Sequence, residues 1–178
     1  MTDNDQDGDG DQSSTEQASS EGVAQKKLRD RSRRLAGDRD IGVLATIDAE
    51  GYPYTSLVEV VFDGDDGFWL LLSDLAVHTR NLRRETRASL LLRGETGTDE
   101  EALANPRSSF IGSVSEVDHL REEIREPYLE AHPHAATYID FSDFSFYRLG
   151  VEKVRFIAGF GQMGWIDGDR FSDGQDEG

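Results

Sequence analysis

The sequence predicts a mainly β domain with peripheral helices, its antiparallel strands closed or nearly closed into a barrel. Three observations carry this. Short apolar and β-branched runs recur between clusters of turn-forming residues. The first three runs are joined by connections too short for parallel crossovers, so they pair antiparallel. Helical character is confined to a few separate stretches, and many antiparallel strands with few helices escape exposed edges by curling into a barrel.

The elements follow in order. Residues 1–22 hold seven acids and no base, are rich in Asp, Gln, Ser and Gly, and predict a disordered acidic tail. Val23–Ala36 reads as a helix with a thin apolar stripe of Val23, Leu28 and Leu35, ended by Gly37. Its arginines form either a solvated face or a contact with the acidic surface of a partner subunit. Ile41–Ile47 is a strand. Asp48–Pro53 is a turn in which Gly51 can take positive φ. Tyr54–Phe62 is a second strand, Asp63–Gly67 a hairpin loop, and Phe68–Leu72 a third strand, giving a meander.

Asp74–Arg87 predicts a helix capped by Asp74 or Ser73. Ala88–Leu92 is a buried strand, Asp99–Ala104 a helical turn stopped by Asn105-Pro106, and Arg107–Val117 another strand. His119–Ile139 is helical but broken at Pro127 and Pro133. Phe144–Leu149 and Val154–Gly161 are the last two strands. Residues 23–166 thus form one domain, and 167–178 are a second acidic tail that stays outside the fold.

Composition excludes several classes. The formal charge is -17, so the summed field repels phosphate and bulk nucleic-acid binding is disfavoured. No apolar run is long enough to span a bilayer as a helix. The N-terminus lacks the basic and apolar regions of a secretory signal, and the chain has no cysteine; a cytoplasmic location is the expectation. No nucleophile elbow or paired-carboxylate arrangement stands out. His132-Pro-His134 has no third ligand at metal-site spacing and reads as an exposed loop pair. Trp165 and Phe160, beside Gly159, Gly161 and Gly164, pack over a ligand or close the barrel end.

The segment richest in chemistry is Ser73-Asp-Leu-Ala-Val-His78-Thr79-Arg80-Asn81-Leu82. It leaves a strand and opens a helix, where free N–H groups and the helix dipole favour an anion. Ser73 and Thr79 add hydroxyls, His78 and Arg80 cationic donors. Arg80, Arg83, Arg84 and Arg87 cluster there in an otherwise acidic chain. Two readings stand: a phosphate site, or a helix whose arginines pair with Glu85 and the acidic body.

Ile41-Gly-Val-Leu-Ala-Thr46, Gly51-Tyr-Pro-Tyr-Thr-Ser-Leu-Val58 and Leu71-Leu-Ser-Asp-Leu-Ala-Val-His-Thr-Arg-Asn-Leu82 together resemble the FMN-binding split-barrel proteins of the pyridoxamine-phosphate-oxidase-like superfamily. Within them the chain is most similar to the haem-utilisation branch, with its Ser-Asp-Leu-Ala-x-His-Thr-x-Asn-Leu signature; Tyr138–Leu149 and Gly159–Ile166 resemble the same branch. The resemblance implies a six-stranded antiparallel split β-barrel and FMN held at a homodimer interface. It implies that Thr55, Ser56, Leu57 and Val58 line the flavin, that Ser73, His78, Thr79, Arg80 and Asn81 hold its phosphate, and that Arg107 reaches across from the partner subunit. The flavin would carry the redox chemistry, so no catalytic side chain is needed. Thr55 stands where the oxidases proper carry arginine, and their C-terminal arginine motif has no counterpart, which argues against pyridoxamine-phosphate oxidase activity itself. The main expectation is an FMN-dependent oxidoreductase of unknown substrate. The alternatives are a haem-binding or haem-degrading protein of the same fold, with His132 and His134 as its main candidate ligands, and a flavin-binding dimer without turnover.

Overall fold

Side-chain alternation sets the first ladder. In β1 (Ile41–Ile47), Gly42, Leu44 and Thr46 point inward and are buried, while β2 (Pro53–Glu59) runs back antiparallel from Ile47↔Pro53 to Ile41↔Glu59. The turn between them matches its reading: Asp48 Oδ1 accepts the N–H groups of Glu50 and Tyr52, and Gly51 takes φ +89°. The computed structural model describes residues 10–94, 105–158 and 162–172. The predicted turn at Asp99–Ala104, residues Gly159, Phe160 and Gly161, and the outer parts of both tails lie outside them.

The remaining strands are β3 (Val61–Phe62), β4 (Gly67–Ser73), β5 (Arg87–Arg93), β6 (Arg107–Glu116), β7 (Phe144–Ile157) and β8 (Met163–Asp167). They form one antiparallel sheet in the order β2-β1-β5-β6-β7-β4-β3, with β8 added to β7. Its two ends, β2 and β3, are one stretch of chain divided only by Val60, so the sheet curls round on itself. This corrects the meander: 54–62 is not one strand. At Val60 the N–H leaves the ladder and donates to the Asp40 carbonyl at 2.8 Å, and the chain passes from one end of the sheet to the other. Among the described residues the count is eight strands rather than the six the resemblance implies: of the seven strand runs in the sequence the bend divides one and the last two join, and Met163–Asp167 adds another.

The last two predicted strands are likewise one. β7 runs unbroken from Phe144 to Ile157, with Glu152 bulged between Ile111↔Lys153 and Gly112↔Val151. Gly112 pairs with Val151 beside the bulge, and a Cβ on it would lie 1.8 Å from the Gly150 oxygen. The missing side chain at Gly112 lets the backbones approach and the ladder continue.

Two apolar cores lie on the two faces of the β4–β7 region. Phe68, Leu70, Leu72, Leu90, Phe110 and Leu149 fill the inside of the curl. Leu71 and Phe146 face outward instead and are covered by Ile124 and Tyr128 of α3 (Arg121–Ala131) and by Ile139. That double coverage is why β4 reads as a continuous apolar run rather than alternating. Helix α3 passes through Pro127 rather than breaking there; the carbonyl deprived of its donor belongs to exposed Glu123. The break comes at His132, followed by a 3-10 turn over Pro133–Thr137.

Helix α1 spans Gly10–Gly37 and so reaches back into the segment assigned to the disordered tail. Acids dominate its first half and bases its second, the order that complements the helix dipole. Two of its arginines are docked on their own chain, not on solvent. Arg33 donates to the carbonyls of Gly64, Asp65 and Phe171, and Arg31 lies over the Phe156 ring at 5.5 Å. The second tail enters the fold too: α4 (Gly168–Phe171) inserts Phe171 into the inner core. Acidic composition concealed the one aromatic that matters there. Among the described residues no helix is long and apolar enough to cross a membrane.

Candidate functional site

The site is built where β4 ends. Ser73 Oγ donates to Asp143 Oδ2 at 2.7 Å and accepts the Leu75 N–H at 3.1 Å, while the Asp74 N–H donates to the Asp143 carbonyl at 2.7 Å. With Ser73 tied into this turn, neither it nor Asp74 caps a helix. Helix α2 (Val77–Leu82) starts after Ala76, without a side-chain cap, and is six residues long rather than the predicted Asp74–Arg87. So short a helix aligns few peptide dipoles, and the anion-binding argument loses most of its force.

The four arginines have partners within the segment. Arg80 donates to the Leu75 carbonyl at 2.9 Å, Arg83 pairs with Asp74 at 2.5 Å, Arg84 donates to Asn81 Oδ1 at 3.1 Å and Arg87 pairs with Glu85 at 2.6 Å. Of the two readings of this cluster, intramolecular pairing describes these contacts. Asn81 is buried and donates to Thr46 Oγ1 at 3.1 Å, so it locks α2 onto β1. Thr79 is buried as well, and its hydroxyl has no hydrogen-bond partner among the described residues.

A cleft of about 380 Å³ opens between the outer end of β2, the end of β4 and the start of α2. Ile41, Leu57, Val58, Leu71, Leu72 and Phe144 give it apolar walls. Ser73, His78, Glu59 and Tyr138 supply its polar groups. Of the residues predicted for a cofactor, the cleft gathers Leu57, Val58, Ser73 and His78. Thr55, Ser56, Thr79, Arg80, Asn81 and Arg107 do not line it. Arg107 opens β6, opposite Ile157 and Arg93.

His78 is half-buried, and that burial holds its imidazole below the ordinary value of 6.5. The ring is therefore neutral at pH 7, an acceptor or metal ligand rather than a phosphate clamp. The sign for stability follows. The unfolded chain takes up this proton more readily than the folded one, so stability is flat above about pH 6.5 and falls as acidification moves toward the lower folded-state value.

Glu59 and Tyr138 escaped the sequence reading. Tyr138 OH donates to Glu59 Oε2 at 2.9 Å, and His134 Nε2–H donates to Oε1 at 2.5 Å. Burial, then the hydrogen bond and charge of Glu59, pushes the Tyr138 phenol up to about 12. The signal was available: Glu59 is the one charge inside Thr55–Phe62, an otherwise uncharged strand sequence. His132 is not an exposed loop residue; it is 2% exposed, and its Nε2–H donates to the Val60 carbonyl at 3.2 Å. Among the described residues no group of three His, Cys, Asp or Glu is placed to hold a metal ion. Trp165 stands on β8, half-exposed, with Arg155 over its ring at 5.5 Å, and does not line the cleft.

Comparison with known proteins adds the following. Residues 25–173 match the family described as CREG, beta-barrel. The chain is 34% identical over 148 residues to the chloroplastic heme oxygenase HOZ of Arabidopsis thaliana, covering 80% of this chain and 44% of that protein. It is 28% identical over 153 residues to heme oxygenase HutZ of Vibrio cholerae, covering 84% and 86%. Among solved structures, a heme binding protein from Mycobacterium smegmatis superposes with TM-score 0.75 at 34% identity, over 81% of this chain and 59% of that one. A pyridoxinephosphate oxidase family protein from Clostridium acetobutylicum shares the fold, with TM-score 0.63 at 16% identity over 82% and 97%. The chain thus spans less than two thirds of the plant and mycobacterial proteins.

Proposed function

Because this chain belongs to the CREG β-barrel family, we propose that it binds haem in the cleft between β2, β4 and α2. One observation carries the reading: the cleft has apolar walls and an imidazole whose burial disfavours its charged form, and among the described residues no lysine or arginine lines it. That donor set suits a flat apolar macrocycle with a nitrogen-binding iron better than a phosphate ester. The heme oxygenase and heme-binding names of its relatives support the same choice. Leu57 and Phe144 would pack against the ring, and His78 would offer its free imidazole nitrogen. The Ser73–Asp143 tie holds the turn that carries His78 in place. When bound, haem would supply a redox-active iron, and the heme oxygenase names of two relatives support oxygen-dependent haem breakdown as the reaction class.

The test is an absorbance titration of the purified protein with haemin and, separately, with FMN. A saturable Soret band is expected. His78→Ala should weaken haemin binding at least about tenfold, with an unchanged melting transition. Flavin bands bound stoichiometrically, with no Soret response, would instead favour FMN binding, and oxidation of a reductant faster than by free FMN would then separate an FMN-dependent oxidoreductase from a flavin-binding dimer without turnover.

We also propose that the chain works as a homodimer. Ile41, Val43, Leu57, Leu91 and Ile111 are exposed on the outer face of β1, β2, β5 and β6, and Leu57 is 74% exposed. Val43 is in register with both Leu57 and Leu91, so three of them form one row across the sheet. A contiguous apolar face of this kind marks an interface. Leu91→Lys should reduce the mass in solution, measured by light scattering, from twice the chain mass to once. A monomeric parent protein would refute the assignment.

A further inference from the structure

The polar end of the cleft is a single carboxylate held from behind. Glu59 Oε1 accepts from His134 and Oε2 from Tyr138, both on or beside the 3-10 turn. Glu59 lines the cleft and is the only carboxylate among its described lining residues, while burial holds the His78 imidazole below its ordinary value. Every other titratable group facing it among the described residues is a histidine or a phenol. They are His134 and Tyr138 bonded to it and buried Tyr128 of α3, whose phenol is pushed up first by burial and then by Glu59's charge. Among the described residues no arginine or lysine lines the cleft beside Glu59.

We infer that Glu59 is the specificity residue of the cleft: it admits the uncharged edge of a planar ligand and keeps the ligand's carboxylate or phosphate groups out at the mouth. This rests on the proposal that the cleft binds such a ligand, and it deepens that proposal by fixing which ligands fit and which way round they enter. The physical reason is like-charge repulsion inside a partly desolvated space, where charges interact more strongly than in water. An anion placed next to Glu59 would also have to displace the Tyr138 hydroxyl, which Glu59 already occupies, or leave it unpaired.

The test compares haemin with its dimethyl ester, which lacks the two carboxylates, at pH 7.5 by fluorescence quenching. Glu59→Gln keeps the shape and the acceptor for Tyr138 but removes the charge. It should strengthen haemin binding by about fivefold and leave the ester within error of the parent protein. Glu59→Asp keeps the charge and should retain the parent's preference for the ester. If Glu59→Gln weakens both ligands alike while melting at a lower temperature, Glu59 is a structural latch only and the inference is overturned. Equal affinities for ester and acid in the parent protein would overturn it as well. If haemin does not bind at all, the haem reading fails by itself; FMN and riboflavin, which differ by one phosphate, then put the same question to Glu59. Binding of none of the four ligands refutes both.

Discussion

Replacing Phe171 with alanine is expected to destabilise the protein by about 4 kcal/mol, the range seen when a large buried ring is removed. Phe171 is fully buried in the inner core, 5.5 Å from the Phe110 ring and 5.9 Å from Phe62. Its carbonyl accepts from Arg33, whose guanidinium also lies 5.6 Å over its ring. The side chain therefore joins α4, α1 and the barrel interior, and its loss leaves a cavity bounded by aromatic rings that collapse poorly. A loss of this size is a large part of a typical domain stability, and it is read as a lower denaturant midpoint at unchanged slope. Phe171→Leu, which keeps most of the volume, should cost less than about 1.5 kcal/mol. If the segment were the solvated tail its composition describes, Phe171→Ala would change stability by no more than about 0.5 kcal/mol.

That contrast marks a boundary of what composition carries. Residues 167–178 hold five acids against Arg170, and the average conceals one ring with a place in the core. Pattern succeeded where it repeats. The strands at Ile41–Ile47 and Ala88–Leu92 and the Asp48–Gly51 turn chemistry are local, and the structure follows them, except that Ala88–Leu92 is buried on one face only and leaves Leu91 exposed. It failed where a distant residue decides. Nothing near Val60 announces that its N–H will bond Asp40, and nothing near Gly150 announces Gly112 on the facing strand.

The site divides along the same line. Ser73 and His78 were legible because a strand that runs out into a turn and helix gathers polar groups in sequence order. The pairing of Arg80, Arg83, Arg84 and Arg87 was legible only as one of two readings, since residue type alone does not say where a guanidinium folds. Glu59 and Tyr138 are 79 positions apart and meet only because the barrel bend and the 3-10 turn come together. Two consequences of that meeting bear on function. Among the described residues that line the cleft the one carboxylate is Glu59 and none is arginine or lysine, and burial disfavours the charged form of His78. Both move the reading from a phosphate-anchored flavin toward an apolar macrocycle.

Gly112→Ala is expected to cost at least about 3 kcal/mol, with loss of the native state as the extreme case. The added Cβ would stand 1.8 Å from the Gly150 oxygen, 2.9 Å from its carbonyl carbon and 3.2 Å from the Glu152 nitrogen. All three are backbone atoms of the bulged partner strand, so no side-chain rotation relieves the overlap; β6 and β7 would have to separate. Gly42→Ala is the informative comparison. Its Cβ would meet Leu92 Cδ2 at 2.6 Å and Leu90 Cδ1 at 2.7 Å, ends of side chains that can shift, so a cost of about 1–2 kcal/mol is expected. At Gly37 nothing lies within 4 Å, and Gly37→Ala should be close to neutral. Denaturation midpoints that rank Gly112, Gly42, Gly37 in descending damage would confirm that close approach at the bulge, and not glycine's flexibility, is what the sheet requires. The consequence reaches the cleft. β7 contributes Phe144 to its wall at one end and pairs with β8 at the other, and the Gly112–Gly150 contact is what allows one strand to do both. A Gly112→Ala protein that still folded with the ladder slipped would therefore bind haemin weakly, even though the substitution touches no residue of the cleft.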